Sequence, residues 1–300
     1  MSMSAQENTR AHTLRRGEGW ITGAHHRHLH WQSWSPAGDQ RLRATILILH
    51  GYGEHVGRYE WVAATLVESG YEVYGLDHDG HGRSDGPRAR IALSDAVENV
   101  DQFVDLIESR TQQAQPLFLL GHSLGGAIAL RYALAHQDRI DGMVLSGALI
   151  ELDTGAILTR LGKLLGRWAP WAPVNRINPQ WISRDPAVVA AYVRDPLVAH
   201  GPISAASARE MLVHTETIRE AVAAITTPTL ILYGTRDRLC SPRGSMLLTD
   251  RLGAADVTAR AYEGLYHELL NEPERDHVLA DVVEWLGNRS PRSIKARSER

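Results

Sequence analysis

The sequence predicts an α/β fold: a mostly parallel sheet with helices on both faces and a helical cap inserted into it. Three observations carry this. Short apolar runs bounded by Gly, Asp or Pro alternate with longer amphipathic stretches. The runs are apolar at successive positions rather than every second one, as strands buried on both faces require. The alternation breaks once, between about 150 and 225, where helical patterns follow one another between prolines at 170, 173, 179, 186, 196 and 202.

Residues 1–19 form an expected flexible N-terminal segment. His26 to Trp34 alternates and reads as an antiparallel edge strand. The first buried strand is Thr45–Leu49, the second Tyr71–Leu76, the third Leu117–Leu120, the fourth Met143–Leu145 and the fifth Thr229–Tyr233. Val257–Tyr262 is a further strand. Ala96 to Ile107 keeps Val97, Val100, Val104 and Ile107 on one helical face, and Ala127 to Ala135 is a second helical stretch. The last helix, Glu272 to Leu286, has Pro273 in its first turn, where a missing N–H costs nothing. The core therefore comprises 20–149 and 226–288, the cap 150–225, and 289–300 a basic tail expected to be disordered.

The chain has 300 residues, 43% hydrophobic and 22% charged, ordinary globular values that permit a large core without metals or disulfides. Cys240 is the single cysteine, which excludes an intrachain disulfide. A net charge of −3 leaves no electrostatic footprint for nucleic acid. No secretory h-region is visible, and the strongest apolar run, Ala44–Leu49, is too short to span a bilayer. A cytoplasmic, soluble protein is expected.

Gly121-His122-Ser123-Leu124-Gly125 fits G-x-S-x-G, directly after the strand Leu117–Leu120 and before a helix. That is the nucleophile elbow of the α/β-hydrolase fold, which lifts a serine hydroxyl above the sheet. A serine needs a base, and in this fold the order is Ser, acid, His. Of fifteen histidines, His267 lies in a loop after the strand Val257–Tyr262 and before the last helix. His277 lies inside that helix. Asp237 follows the strand ending at Tyr233 and is the expected acid, with Glu151 and Asp153 as alternatives after an earlier strand. The expected catalytic set is thus Ser123, Asp237 and His267. Main-chain N–H groups of Leu124 and of Tyr52, in His50-Gly51-Tyr52-Gly53, are the expected oxyanion donors, each worth about 3–4 kcal/mol. No metal or cofactor is needed.

Several blocks resemble the monoacylglycerol lipases, their bacterial branch most: His50-Gly51-Tyr52-Gly53-Glu54-His55 with Gly57-Arg58-Tyr59, Asp77 to Ser84, the elbow, Asp237 to Cys240, Tyr262 to His267, and Asn271-Glu272-Pro273-Glu274. The resemblance implies hydrolysis of monoacylglycerol to glycerol and fatty acid through an acyl-enzyme on Ser123. It carries over the same triad and oxyanion donors, and implies Glu54, Arg58 and Tyr192 as substrate-binding groups near glycerol. Leu124 stands where many relatives carry Met, and Leu270 where some carry a polar glycerol contact. A lysophospholipase or general carboxylesterase would share the triad; a non-catalytic lipid-binding protein on the same fold is the third reading.

In the cap, Ile157, Leu158, Leu161, Leu164, Leu165 and Trp168 share one helical face and Arg160, Lys163 and Arg167 the other, the pattern of a basic interfacial helix. Peripheral membrane contact through 157–168 is therefore expected. His25, His26, His28 and His30 read as solvated edge-strand residues, and Cys240 as a small buried residue.

Overall fold

A computed structural model describes residues 14–38, 41–111, 115–151 and 164–290. The described residues form an eight-stranded sheet from β1 (Leu14–Thr22), β2 (His28–Pro36), β3 (Thr45–Leu49), β4 (Glu72–Leu76), β5 (Leu117–His122), β6 (Gly142–Ser146), β9 (Thr229–Gly234) and β10 (Val257–Tyr262). The spatial order is β1-β2-β4-β3-β5-β6-β9-β10. β2 is antiparallel to both β1 and β4, and every later neighbour pair is parallel.

Period-two side-chain alternation divides the central strands between two cores. Leu47, Leu49, Leu119, Met143, Leu145 and Ile231 face one, packed on α2 (Leu93–Arg110) and α3 (Leu124–His136). Ile46, Ile48, Phe118, Leu120, Val144, Leu230 and Leu232 face the other, packed on α1 (Glu60–Glu68) and α7 (Arg275–Gly287). Each of these fully buried side chains contributes roughly 1.5–3 kcal/mol of burial.

The edge differs from expectation. β2 is not the outer strand, because β1 pairs along its whole length from Leu14↔Pro36 to Thr22↔His28. Residues 14–19, expected to be flexible, are thus sheet. Arg15, Arg16 and Glu18 face solvent on β1, and charge on an outer strand discourages pairing with another chain. The same hairpin buries His30, whose Nδ1 lies 3.2 Å from Asp77 Oδ2 and whose ring meets Trp20. The reading of four solvated strand histidines therefore fails at His30. His25 and His26 sit in a left-handed turn before the strand, while His28 is exposed.

The insertion also divides. A short antiparallel pair, β7 (Pro173–Asn175) with β8 (Ile203–Ser204), replaces the all-helical expectation. α4 (Pro186–Arg194) is capped by Asp185, whose carboxylate accepts the Ala187 N–H at 2.8 Å. Ile182, Val189, Tyr192 and Val198 form a small core of their own. α5 (Ala205–Ala221), by contrast, sends Met211 and Ile218 into the main core, so it is the crossover helix from β6 to β9 rather than cap. Residues 152–163, holding most of the expected interfacial helix, lie outside the described residues; 164–168 are helical. Among the described residues no helix is long and apolar enough to cross a membrane. The tail 291–300 is likewise outside the description, and Arg289 is fixed by Asp256 at 2.5 and 2.8 Å.

Candidate active site

Ser123 stands between the last residue of β5 and the first of α3, with φ 53° and ψ −117°. A non-glycine residue there costs about 1–3 kcal/mol and persists only when its surroundings hold it. They do so through backbone hydrogen bonds. Ser123 N–H donates to Ser146 O at 3.0 Å, and Ser123 O accepts from Gly126 at 3.0 Å and Leu149 at 2.9 Å. The flanking glycines are required for space: a Cβ on Gly125 would lie 1.9 Å from Leu49 O, and one on Gly121 2.6 Å from Gly125 O.

The loops after β9 and β10 bring Asp237 and His267 together, with Asp237 Oδ2 2.7 Å from His267 Nδ1. An ionised carboxylate only accepts, so Nδ1 carries the proton and Nε2 keeps a free lone pair. Asp237 Oδ1 is held by the N–H groups of Leu239 at 2.8 Å and Cys240 at 3.0 Å. Burial pushes the His267 pKa down, but the Asp237 charge and hydrogen bond outweigh it, and the imidazole lies above the usual 6.5. Of the alternative acids, Glu151 offers its backbone carbonyl to Ser241, and Asp153 lies outside the described residues. Ser123 and His267 line one cavity, beneath Ile177 and Ile182 of the cap. Ser123 Oγ rests 3.8 Å from the sulfur of buried Cys240, whose thiol burial and Asp237 keep protonated.

The loop after β3 supplies the facing wall. Gly51 N–H donates to Glu54 Oε1 at 2.6 Å, and His50 Nδ1 donates to Gly51 O at 2.8 Å. His50 Nε2 accepts the His78 N–H at 3.0 Å. Gly53, at φ +81°, offers its carbonyl to Ala199 of the cap at 2.7 Å. Tyr52 lines the cavity. Leu124 opens α3, where helix geometry leaves an N–H without an intrahelical acceptor. Burial holds His78 down to about 3 and His81 down to about 4, so this packed histidine group is neutral.

Glu54 and Tyr192 line the cavity and Arg58 stands behind them. Arg58 donates to Glu54 and, through both terminal nitrogens, to Glu268 at 2.8 and 2.7 Å. The Tyr192 ring covers the guanidinium at 4.9 Å. Leu270 does not face this end; it packs in the core beside Leu269.

Sequence reasoning missed three residues here. Glu268 lines the cavity and follows His267 directly, the one signal that could have singled it out. Its N–H donates to Ile182 O of the cap at 2.7 Å. Glu272 is buried and joins the base loop to the cap, accepting from Tyr266 N–H at 2.9 Å and from Arg184 Nε at 2.9 Å. His122 packs against His267, the ring centroids 4.7 Å apart, and burial followed by the His267 charge keeps it neutral.

Comparison with known proteins gives a consistent result. The family model for "Serine aminopeptidase, S33" matches residues 40–274. A monoacylglycerol lipase from Mycolicibacterium smegmatis is 41% identical over 84% of this chain and 90% of its own length. The rat monoglyceride lipase is 33% identical over 90% of each chain. The crystal structure of Paleococcus ferrophilus monoacylglycerol lipase superposes with a TM-score of 0.76 at 29% identity, covering 92% of this chain and 99% of the other.

Proposed function

The chain belongs to the monoacylglycerol lipase family of the S33 serine hydrolases, and from that premise we propose that it hydrolyses monoacylglycerol to glycerol and free fatty acid through an acyl-enzyme on Ser123. The observation that carries the mechanism is the buried Asp237–His267 pair, 2.7 Å apart, whose imidazole lines one cavity with a serine held at a strained elbow.

Ser123 Oγ attacks the acyl carbonyl while His267 Nε2 takes its proton. The oxyanion receives the N–H groups of Tyr52 and Leu124. The C–O bond to glycerol breaks, and the departing alkoxide takes the proton back from His267. Water then adds to the acyl-enzyme through the same base and releases the fatty acid. Asp237 holds the tautomer and stabilises the imidazolium. Fixed donors cost no reorganisation when charge develops, which is why the rigid Glu54–Gly51 contact matters.

Contact with a lipid surface is part of the reading. Trp168 is 76% exposed and Trp171 78%, beside exposed Leu164 and Leu165 and the cationic Arg167. Grouped exposed apolar side chains with basic neighbours suit an interface with lipid.

The test is fatty-acid release from long-chain monoacylglycerol, diacylglycerol, triacylglycerol and lysophosphatidylcholine, run beside Ser123→Ala. Monoacylglycerol preference lost in the variant is expected. Dominant lysophospholipid turnover would move the assignment to a lysophospholipase, and broad turnover of simple esters to a general carboxylesterase. The absence of Ser123-dependent release from all of them would overturn it, in favour of lipid binding without catalysis.

A further inference from the structure

The polar end of the active-site cavity is built from two carboxylates. Glu54 and Glu268 both line it, and none of the described lining residues is lysine or arginine. The nearby cation, Arg58, is shared between them and 10% exposed, its face covered by the Tyr192 ring. Two negative charges against one positive leave this end anionic.

Acceptor capacity points the same way. Glu54 Oε1 takes Gly51 N–H and Tyr59 O–H, while Oε2 takes Arg58. Glu268 Oε2 takes Arg58 and Asn271, while Oε1 takes Arg58. A carboxylate oxygen can accept about two hydrogen bonds, so one oxygen of each acid retains a lone pair. A headgroup hydroxyl can donate to it; a fully ionised phosphate has no hydrogen to donate and adds negative charge of its own.

We propose that Glu268 is a specificity-determining residue which, with Glu54, makes the headgroup end accept neutral polyols and reject phosphate-bearing headgroups. This rests on the serine-esterase reading above. Burial pushes the Glu268 carboxyl up, but Arg58 more than offsets it, so the acid is ionised at neutral pH. His122, facing the same space, is neutral and does not cancel the charge.

The experiment measures inhibition of p-nitrophenyl butyrate hydrolysis by 1-O-dodecylglycerol and by dodecyl phosphate, both below their aggregation concentrations. The wild-type protein should bind the alkylglycerol at least tenfold more tightly than the alkyl phosphate. Glu268→Gln, which keeps the shape and removes the charge, should narrow that ratio at least fivefold, and should raise turnover of lysophosphatidic acid relative to monoacylglycerol with the same acyl chain. Equal inhibition of the wild type overturns the proposal, and so does an unmoved ratio in a variant whose circular dichroism is native. If the variant does not fold, the wild-type ratio decides alone. Wild-type turnover of p-nitrophenyl butyrate that Ser123→Ala does not abolish would instead strike the esterase reading itself, and this proposal with it.

Discussion

At the residue scale the base sets the pH response. In the proposed mechanism His267 must be neutral to accept the serine proton, and Asp237 raises its pKa above 6.5. Activity is therefore lost as pH falls through a value above 6.5, and is present above it. Asp237→Asn removes the raising influence, so the acid limb of kcat/KM should move to lower pH while the rate falls roughly 10³–10⁴-fold. A pH–rate profile on a soluble ester checks both; an unmoved limb would place the charge elsewhere. Ser123 was legible because the elbow letters coincide with a strand end and a helix start. Asp237 and His267 were legible from chain order, the one coordinate a sequence supplies. Glu268 and Glu272 were not, because their partners Arg58 and Arg184 lie 210 and 88 positions away and only the fold brings them close.

At the element scale the elbow is a steric device as much as a chemical one. Gly125→Ala would drive a methyl group into Leu49 O. The expected result is a loss of about 3 kcal/mol in urea unfolding together with loss of Ser123 reactivity. The cap makes the complementary case. Replacing Leu165 and Trp168 with serine touches side chains that already face solvent. Liposome binding should weaken about tenfold while hydrolysis of a short soluble ester is unchanged. Unaltered liposome binding would remove this face from the lipid reading. Central strands were readable because burial on both faces makes them apolar throughout. β1 was not: its exposed side chains follow no apolar pattern, and pairing with β2 holds it in place.

At the scale of the whole molecule, cap and core are fastened at the base loop. Glu268 N–H meets Ile182 O, and Glu272 links Tyr266 to Arg184. Glu272→Ala strands the Tyr266 and Arg184 N–H groups and leaves the Arg184 guanidinium with Glu274 alone, and should cost about 2 kcal/mol in urea unfolding. It should also lower kcat/KM on monoacylglycerol more than on a short ester, since cap and base shift together; equal effects on both would mean the link serves stability alone. The expected cap, 150–225, was too long because amphipathic α5 and the cap helices share one periodicity. Only packing separates a helix that covers the sheet from one that covers the site.

The crossover through α5 has a consequence for how such a chain can change. β6 and β9 are neighbours in the sheet, and α5 alone suffices to return the chain from one to the other. The described stretch 164–204 is thus an insertion hung on an ordinary β–α–β step. It contributes no strand to the eight-stranded sheet. A stretch grafted from a relative would leave the sheet alone, provided it restores the bonds that Ile182 and Arg184 make to the loop carrying His267.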